Sequence, residues 1–282
     1  MTNVLPRHLQ CGRYVLDLSR PLIMGIVNVT GDSFSGDGVL GNAARAIEQG
    51  YRMKEEGAHI LDIGGESSRP GAAPVSIQEE LDRVIPVVEG LARCGLPLSV
   101  DTVKPEVMAA ALAAGADLIN DINALRAPGA LEVVTEGNAA VCLMHMQGEP
   151  GTMQANPQYE DVVVEVTAFL AERVAACEAA GIARSRIVLD PGFGFGKTLE
   201  HNLQLLRRLP ETAVFDLPIL AGMSRKTMLG LITGRPVNER VHAGLVAHLI
   251  AAQRGAHILR VHDVAPLRDA LAIWNAVENE NS

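Results

Sequence analysis

The sequence has few cysteines, and their spacing suggests no shared role. The 282 residues include four, Cys11, Cys94, Cys142 and Cys177, which lie far apart and form no Cys-x-x-Cys pair. Structural zinc sites and thiol redox motifs need closely spaced ligands. The pattern therefore predicts free thiols, as is usual in the reducing cytoplasm.

Long apolar runs and basic clusters are also missing. The first ten residues, MTNVLPRHLQ, lack the apolar core of a signal peptide, and no later run approaches the length of a membrane span. The net charge is −9 and no basic stripe is present, whereas nucleic-acid-binding domains usually carry one. We therefore expect a cytoplasmic protein that binds neither membranes nor nucleic acid.

Several catalytic motifs are absent as well. Residues 192–198, GFGFGKT, suggest a phosphate loop, but Pro191 stands where a Walker A motif needs glycine, and GFGFG is one residue short of the dinucleotide pattern. Neither a zinc-protease H-E-x-x-H nor a G-x-S-x-G nucleophile elbow occurs.

What the sequence does contain is eight short apolar runs that alternate with segments of helical composition. Each run is continuous, as in parallel strands covered on both faces. The predicted strands are residues 22–28, 58–63, 97–101, 116–121, 139–145, 186–190, 217–222 and 257–262. The predicted helices are residues 42–57, 76–94, 104–114, 128–137, 158–180, 199–209, 236–254 and 264–278. Eight such repeats predict an α/β fold, a single (β/α)₈ TIM barrel.

Smaller features fit one domain over residues 1–282, with the barrel at about 22–278. The strings EGAHIL, AGADLI and RGAHIL repeat one helix-to-strand junction, in which glycine ends the helix. Ser76, followed three residues later by Glu79, predicts a capping box. Residues 9–17 predict an N-terminal β-hairpin that closes the bottom of the barrel.

Polar residues follow nearly every predicted strand, where barrel enzymes carry their catalytic groups. These residues are Asn28, Asp62, Asp101, Asn120, Asp121, His145, Asp190, Ser224, Arg225, Lys226, Arg260 and His262. Taken singly, Asp62 and Asp101 could cap helices, and Asp121 could do the same or form a salt bridge. Asn28 could bond loop backbone, and His145 could be a core histidine. Together they favour an active site, because a water-poor barrel mouth disfavours unpaired carboxylates and amides.

The positions of these groups suggest a chemistry. Asp101, Asn120 and Asp190 could bind a flat heterocycle that carries N–H donors and carbonyl acceptors. Lys226, Arg260 and His262 follow the seventh and eighth strands, where barrels frequently bind phosphate. A diphosphate with Mg²⁺ would fit beside them, because hard oxygen ligands lie on the adjoining first strand. A heterocycle and a diphosphate together imply that diphosphate is the leaving group.

The strings at these strand ends closely resemble the bacterial dihydropteroate synthases, a family of pterin-binding barrels. The matching strings are MGIVNVTGDSFSGDG (24–38), DIGGESSRPG (62–71), VDTVKPEV (100–107), INDI (119–122), CLMHMQGEPGTMQ (142–154), DPGFGFGKT (190–198), GMSRKTMLG (222–230) and RVHDV (260–264). The resemblance implies that 6-hydroxymethyl-7,8-dihydropterin diphosphate condenses with p-aminobenzoate to give 7,8-dihydropteroate and diphosphate. It also implies Mg²⁺ as cofactor and a homodimer.

The resemblance further implies roles for individual residues. Pterin-binding positions are Asp101, Asn120, Met144, Asp190, Lys226 and Arg260, and the catalytic ones among them are Asp101, Asp190, Lys226 and Arg260. Diphosphate-binding positions are Asn28, which is also the Mg²⁺ ligand, Ser68, Arg260 and His262. The positions of the p-aminobenzoate pocket are Ser68, Arg69, Pro70, Phe195, Ser224 and Lys226.

The chain departs from the family pattern mainly in the loops after the first two strands. Gly31 stands where the family has Pro, Gly36 and Asp37 invert an Asp-Gly pair, Ser68 replaces Thr and Val103 replaces Ser. These departures bear on loop closure and sulfonamide affinity rather than on the pterin site.

Two alternatives share part of the pattern. One is a methyltetrahydrofolate-dependent corrinoid methyltransferase domain, which has no reason to carry Ser-Arg-Pro at 68–70. The other is a non-catalytic paralogue that acts as a pterin-binding or dimerisation module. Such a paralogue would be expected to have lost ligand-binding residues, but Asn28, Arg69 and Lys226 are all present.

Overall fold

Eight parallel strands form a closed barrel in the computed structural model, which describes residues 8–29, 38–67, 74–149 and 151–278. A two-stranded antiparallel hairpin precedes the barrel and consists of β1 (His8–Cys11) and β2 (Tyr14–Asp17). The barrel strands are β3 (Leu22–Asn28), β4 (Ile60–Gly64), β5 (Leu98–Asp101), β6 (Leu118–Asp121), β7 (Ala140–Met144), β8 (Ile187–Asp190), β9 (Ile219–Ala221) and β10 (Ala256–Val261). They pair in chain order, and β10 closes against β3. The predicted barrel and hairpin are both confirmed.

Helices cover the outside of the barrel. They are α1 (Gly38–Glu56), α2 (Ile77–Leu91), α3 (Pro105–Ala114), α4 (Ala130–Thr135), α5 (Val162–Ala179), α6 (Leu199–Arg207), α7 (Thr227–Thr233), α8 (Val241–Gln253) and α9 (Val264–Glu278). The sequence prediction missed α7 and began α8 too early. Gly234, at φ +70°, ends α7, and a short 3₁₀ turn at 237–239 precedes α8. No helix in the described ranges is long and apolar enough to cross a membrane.

The predicted capping box at the start of α2 is half formed. Ser76 Oγ accepts a hydrogen bond from the Glu79 backbone N–H at 3.2 Å. The Glu79 carboxylate does not return the bond, because it pairs instead with Arg83 one turn later. Ser76 therefore satisfies one free N–H at the helix start, and Glu79 stabilises the exposed face.

The repeated junction strings have a specific structural task at the bottom of the barrel. His59, Asp117 and His257 occupy the same place in the three copies. Each accepts a backbone N–H from the start of a neighbouring strand: Ile23 N to His59 Nδ1 at 3.0 Å, Leu98 N to Asp117 Oδ2 at 3.1 Å, and Ile219 N to His257 Nδ1 at 3.3 Å. Burial lowers the pKa of both histidines, to about 4 for His257, so that the rings are neutral acceptors.

The hairpin closes the barrel bottom. Leu9 and Cys11 of β1 pack into an apolar layer inside the barrel together with the first inward-facing residues of the strands. Arg13 holds the hairpin turn in place, because its Nε and Nη2 each bond the Asp117 carboxylate at 3.0 Å. Side chains alternate along a strand with period two, so the next inward-facing residues lie above this layer, towards the mouth. All four cysteines are buried and unpaired.

Candidate active site

The barrel mouth is organised around the carboxylate of Asp62, which is fully buried on β4. Its Oδ1 accepts from Ser99 Oγ at 2.5 Å. Its Oδ2 accepts from Asn120 Nδ2 at 3.2 Å and from Arg260 Nε at 2.6 Å. The three donors lie on β5, β6 and β10, so one carboxylate connects four strands across the barrel interior.

Asp62 and Ser99 are site residues that the sequence analysis did not assign. Asp62 was considered only as a polar strand end or a helix cap, and the structure excludes the cap, since its partners lie on other strands. A usable signal was present. Asp62 lies two residues from Ile60 and from Gly64, so all three face inward, and Ser99 is its direct neighbour in register.

Arg260 links Asp62 to a second carboxylate, that of Asp101. Its Nη2 donates to Asp101 Oδ2 at 2.7 Å, so one guanidinium bridges the two carboxyl groups. Burial raises the pKa of Asp101 to about 7, the Arg260 charge opposes that shift, and the Asp62 carboxylate reinforces it. Asp101 therefore titrates near neutral pH in the structure.

Asp190 at the end of β8 and Lys226 after β9 bring two further ionisable groups to the mouth, and each shifts the pKa of the other. Asp190 Oδ1 accepts from the Gly192 N–H at 2.7 Å, and burial raises its pKa while Lys226 opposes the shift. Lys226 Nζ donates to the Phe193 carbonyl oxygen and lies 4.6 Å from the centre of the Phe195 ring. Burial lowers the pKa of Lys226 to about 8, against the pull of Asp190.

An apolar wall adjoins these charges. Met144, at the end of β7, packs in a buried cluster with Ile122, Met146 and Met153. Phe195 and Val103 pack against the same cluster. Val103, which stands where the family pattern has Ser, thus adds an apolar side chain to this apolar wall. The wall offers a flat aromatic ligand a face on which to lie.

Of the residues predicted to bind diphosphate, His262 contacts Ser224, which was predicted for the p-aminobenzoate pocket. The backbone N–H of His262 donates to Ser224 Oγ at 3.2 Å, and the two side chains are 3.0 Å apart at His262 Nδ1. Asn28 is half-buried at the end of β3, next to Gly64 in register. Ser68, Arg69 and Pro70, like Gly31, Gly36 and Asp37, lie outside the described residues.

Two other polar strand ends have structural roles. Asp121 accepts the backbone N–H groups of Asn123 and Leu125 at 2.7 Å each, so it holds a turn and does not cap a helix. His145 is buried beside Lys197, with 3.0 Å between Nδ1 and Nζ. Neither side chain is part of the group around Asp62.

Comparison with known proteins agrees with this geometry. Residues 24–262 match the family described as "Pterin binding enzyme". The dihydropteroate synthase of Escherichia coli K12 is 52% identical over 262 residues, which cover 93% of each chain.

Solved structures agree as closely. Xanthomonas albilineans dihydropteroate synthase with 4-aminobenzoic acid has a TM-score of 0.91 at 53% identity and covers 98% of this chain and 100% of that chain. Burkholderia cenocepacia dihydropteroate synthase complexed with 7,8-dihydropteroate has a TM-score of 0.90 at 55% identity, with 97% of each chain covered. The chain belongs to the pterin binding enzyme family and, within it, to the dihydropteroate synthases.

Proposed function

We propose that the barrel mouth condenses 6-hydroxymethyl-7,8-dihydropterin diphosphate with p-aminobenzoate to form 7,8-dihydropteroate and diphosphate. The observation that carries the proposal is the buried group of Asp62, Arg260, Asp101 and Asn120 together with Asp190 and Lys226. It combines carboxylate acceptors, an amide and cationic donors on one inner face, which is the set that a pterin edge requires. Relatives about half identical over nearly the whole chain bear the same function in their names.

The carboxylates would assist the bond change at the exocyclic methylene of the pterin. The C–O bond to diphosphate breaks with its electron pair leaving on oxygen, the arylamine nitrogen forms the new C–N bond, and the nitrogen then loses a proton to solvent. Positive charge develops on the methylene and spreads into the pterin ring. Ionised Asp101 and Asp190, fixed in a buried site, would stabilise that charge without reorganising. No protein nucleophile is needed.

The opposite end of the substrate would be held by the rim. Arg260 of β10 and His262, which directly follows that strand, would counter the charge of the diphosphate. Lys226 would hold the pterin from the side of β9. The arylamine is weakly basic, so its attack needs little help from a general base. Water has to be excluded while the cation exists.

Mg²⁺ would be held at the rim by Asn28. Among the described residues no three Asp, Glu, His or Cys side chains converge on one point, so this part of the chain offers no cage of its own. The amide oxygen of Asn28 is a hard ligand, and Mg²⁺ commonly takes one or two protein oxygens together with substrate phosphates. When bound, the ion would neutralise charge on the departing diphosphate.

Release of diphosphate from the purified protein tests the function. With Mg²⁺ and both substrates, we expect diphosphate and 7,8-dihydropteroate to appear in equal amounts. With the pterin diphosphate alone, release should fall to the uncatalysed rate. Release that does not depend on p-aminobenzoate would contradict the proposal, and no release under any condition would favour the non-catalytic paralogue.

We also propose that the chain forms a homodimer in the cytoplasm. Three neighbouring helices expose apolar side chains, and exposed patches of this kind mark protein interfaces. The side chains are Leu231 (64% exposed), Ile232 (55%), Val246 (58%), Ile273 (70%) and Val277 (72%). Four free, buried cysteines are consistent with a reducing compartment.

The double variant Val246→Glu, Ile273→Glu is expected to sediment as a monomer at a concentration at which the parent is a dimer, because each carboxylate would be desolvated in the interface. Val164→Glu on α5 is the matched control, since Val164 is also 58% exposed but lies on a different helix. Analytical ultracentrifugation checks both variants. If the double variant stays dimeric, the interface lies elsewhere, and a monomeric parent would contradict the homodimer itself.

A further inference from the structure

The loop after β8, which the sequence analysis singled out as a false phosphate motif, has an unusual backbone. Gly192, Gly194 and Gly196 have φ values of +72°, +79° and +60°, so every second residue is left-handed. A Cβ at Gly192 would lie 1.9 Å from the His145 carbonyl oxygen, and one at Gly196 would lie 2.4 Å from that of Gln147. The loop therefore lies directly against the segment that follows β7, with no room for side chains at these positions.

Side chains from around the loop hold its backbone in this shape. The carbonyl oxygens of five consecutive residues, 193 to 197, each accept a hydrogen bond from a side chain. The donors, in order, are Lys226, Gln154, Lys197, Tyr159 and Asn202. Asn202 also accepts from the Gly194 N–H at 2.7 Å. A loop with this many fixed carbonyls places its side chains in one arrangement.

Lys197 lies at the centre of this arrangement and does not face the mouth. It is 3% exposed, and its Nζ lies 2.9 Å from the Phe195 carbonyl oxygen, 3.0 Å from His145 Nδ1 and 3.3 Å from the His145 carbonyl oxygen. A lysine ammonium has three protons, and these three acceptors match them, while burial lowers the pKa of Lys197 well below its ordinary value. Burial, and then the Lys197 charge, lower the pKa of His145 to about 2, which keeps the ring a neutral acceptor.

The same loop carries Phe195 into the mouth. The Phe195 carbonyl is held by Lys197 from behind, and its ring lies under the Lys226 ammonium at 4.6 Å. The direction of the ring therefore depends on a backbone that Lys197 fixes. The chain has only four lysines, and this one makes no contact with the group around Asp62.

We propose that Lys197 is a positioning residue for p-aminobenzoate, which acts by fixing the Phe195 backbone so that the aromatic wall meets the arylamine. The proposal rests on the proposed function, because it takes p-aminobenzoate as the ligand of that wall. Lys226 approaches the pterin from β9, and Asp190 precedes the loop on β8, where pairing with β7 holds its backbone, so pterin binding should depend on Lys197 less than p-aminobenzoate binding does.

Steady-state kinetics of Lys197→Met with each substrate varied in turn test the proposal. We expect the KM for p-aminobenzoate to rise about tenfold or more, since an error of 1 Å in position is costly, and the KM for the pterin diphosphate to change less than about twofold. Lys54→Met is the matched control, because Lys54 is exposed on α1. Equal increases in both KM values would indicate a general structural role and overturn the proposal.

Two further measurements keep the test decisive. Hydrogen exchange should become faster at the amides of residues 192–197 in Lys197→Met and stay unchanged in the β4–β6 region. Tyr159→Phe removes only the hydroxyl that bonds the Gly196 carbonyl at 2.8 Å, so it should fold even if Lys197→Met does not. It should raise the KM for p-aminobenzoate about threefold. Unchanged hydrogen exchange and unchanged KM values in the folded variants would overturn the proposal. If the parent is inactive but hydrogen exchange is faster in Lys197→Met, the proposed condensation is contradicted, whereas the positioning of the loop by Lys197 is not.

Discussion

Replacement of Lys226 by alanine is expected to lower kcat/KM by about a hundredfold or more, the usual cost of losing a fixed donor in a preorganised site. The ammonium lies between the Asp190 carboxylate, the Phe193 carbonyl and the Phe195 ring. Its removal takes away a cation that would hold the pterin edge and the largest of the nearby positive charges that stabilise ionised Asp190. Burial lowers the pKa of Lys226 to about 8, so the parent should also lose activity as the pH rises through about 8.

The fold should survive this change. Lys226 precedes α7 at the N-cap position, but its side chain makes no capping hydrogen bond there, so alanine removes no cap. The thermal midpoint of Lys226→Ala should stay within a few degrees of the parent. Lys54→Ala, on the exposed side of α1, should match the parent in both rate and stability. A normal kcat/KM in Lys226→Ala would show that this lysine lies outside the working site.

The barrel was predictable because its strands leave a simple signal. A parallel strand between a filled interior and a covering helix is apolar on both faces, and eight such runs in alternation with helices admit few folds. Every predicted strand overlaps an observed one. The missed helix α7 leaves a weak sequence signal. Its segment, residues 227–233, is short, contains Gly230 and includes two β-branched threonines. Tertiary packing rather than local preference decides such a segment.

The candidate site was predictable in its position but not in its pairing. Strand ends of a parallel barrel meet at one edge, so polar residues there converge whatever their partners. Which groups touch depends on register and strand tilt, which bring Arg260 of β10 to Asp62 of β4. The contacts of Lys197 were equally unpredictable from the sequence, because they depend on a loop whose three left-handed glycines turn its side chain inward. Ser224 and His262 were predicted for different ligands but are in direct contact, because the register of β9 and β10 brings them together.

Asp62→Ala is expected to have the second large effect, on stability as well as on rate. The carboxylate is fully buried and accepts from Ser99, Asn120 and Arg260. Alanine leaves three donors without that acceptor and Arg260 with only Asp101. We expect the free energy of unfolding to fall by about 3 kcal/mol, the low end for breaking a buried ion pair, as measured by urea titration. The kcat/KM for the pterin diphosphate should fall about a hundredfold.

Asp62→Asn separates the charge of this residue from its shape. The amide oxygen can still accept from Arg260 and Asn120 while the NH₂ donates to Ser99, so the loss of stability should be smaller than with alanine. The Asp62 charge is one of the causes that raise the pKa of Asp101 to about 7, so its removal should lower that pKa. If ionised Asp101 is required, kcat/KM of the parent rises with pH through about 7, and this limb should move to lower pH in Asp62→Asn. A profile of kcat/KM between about pH 5 and pH 9 measures the shift. An unmoved limb would show that the two carboxylates do not share one electrostatic site.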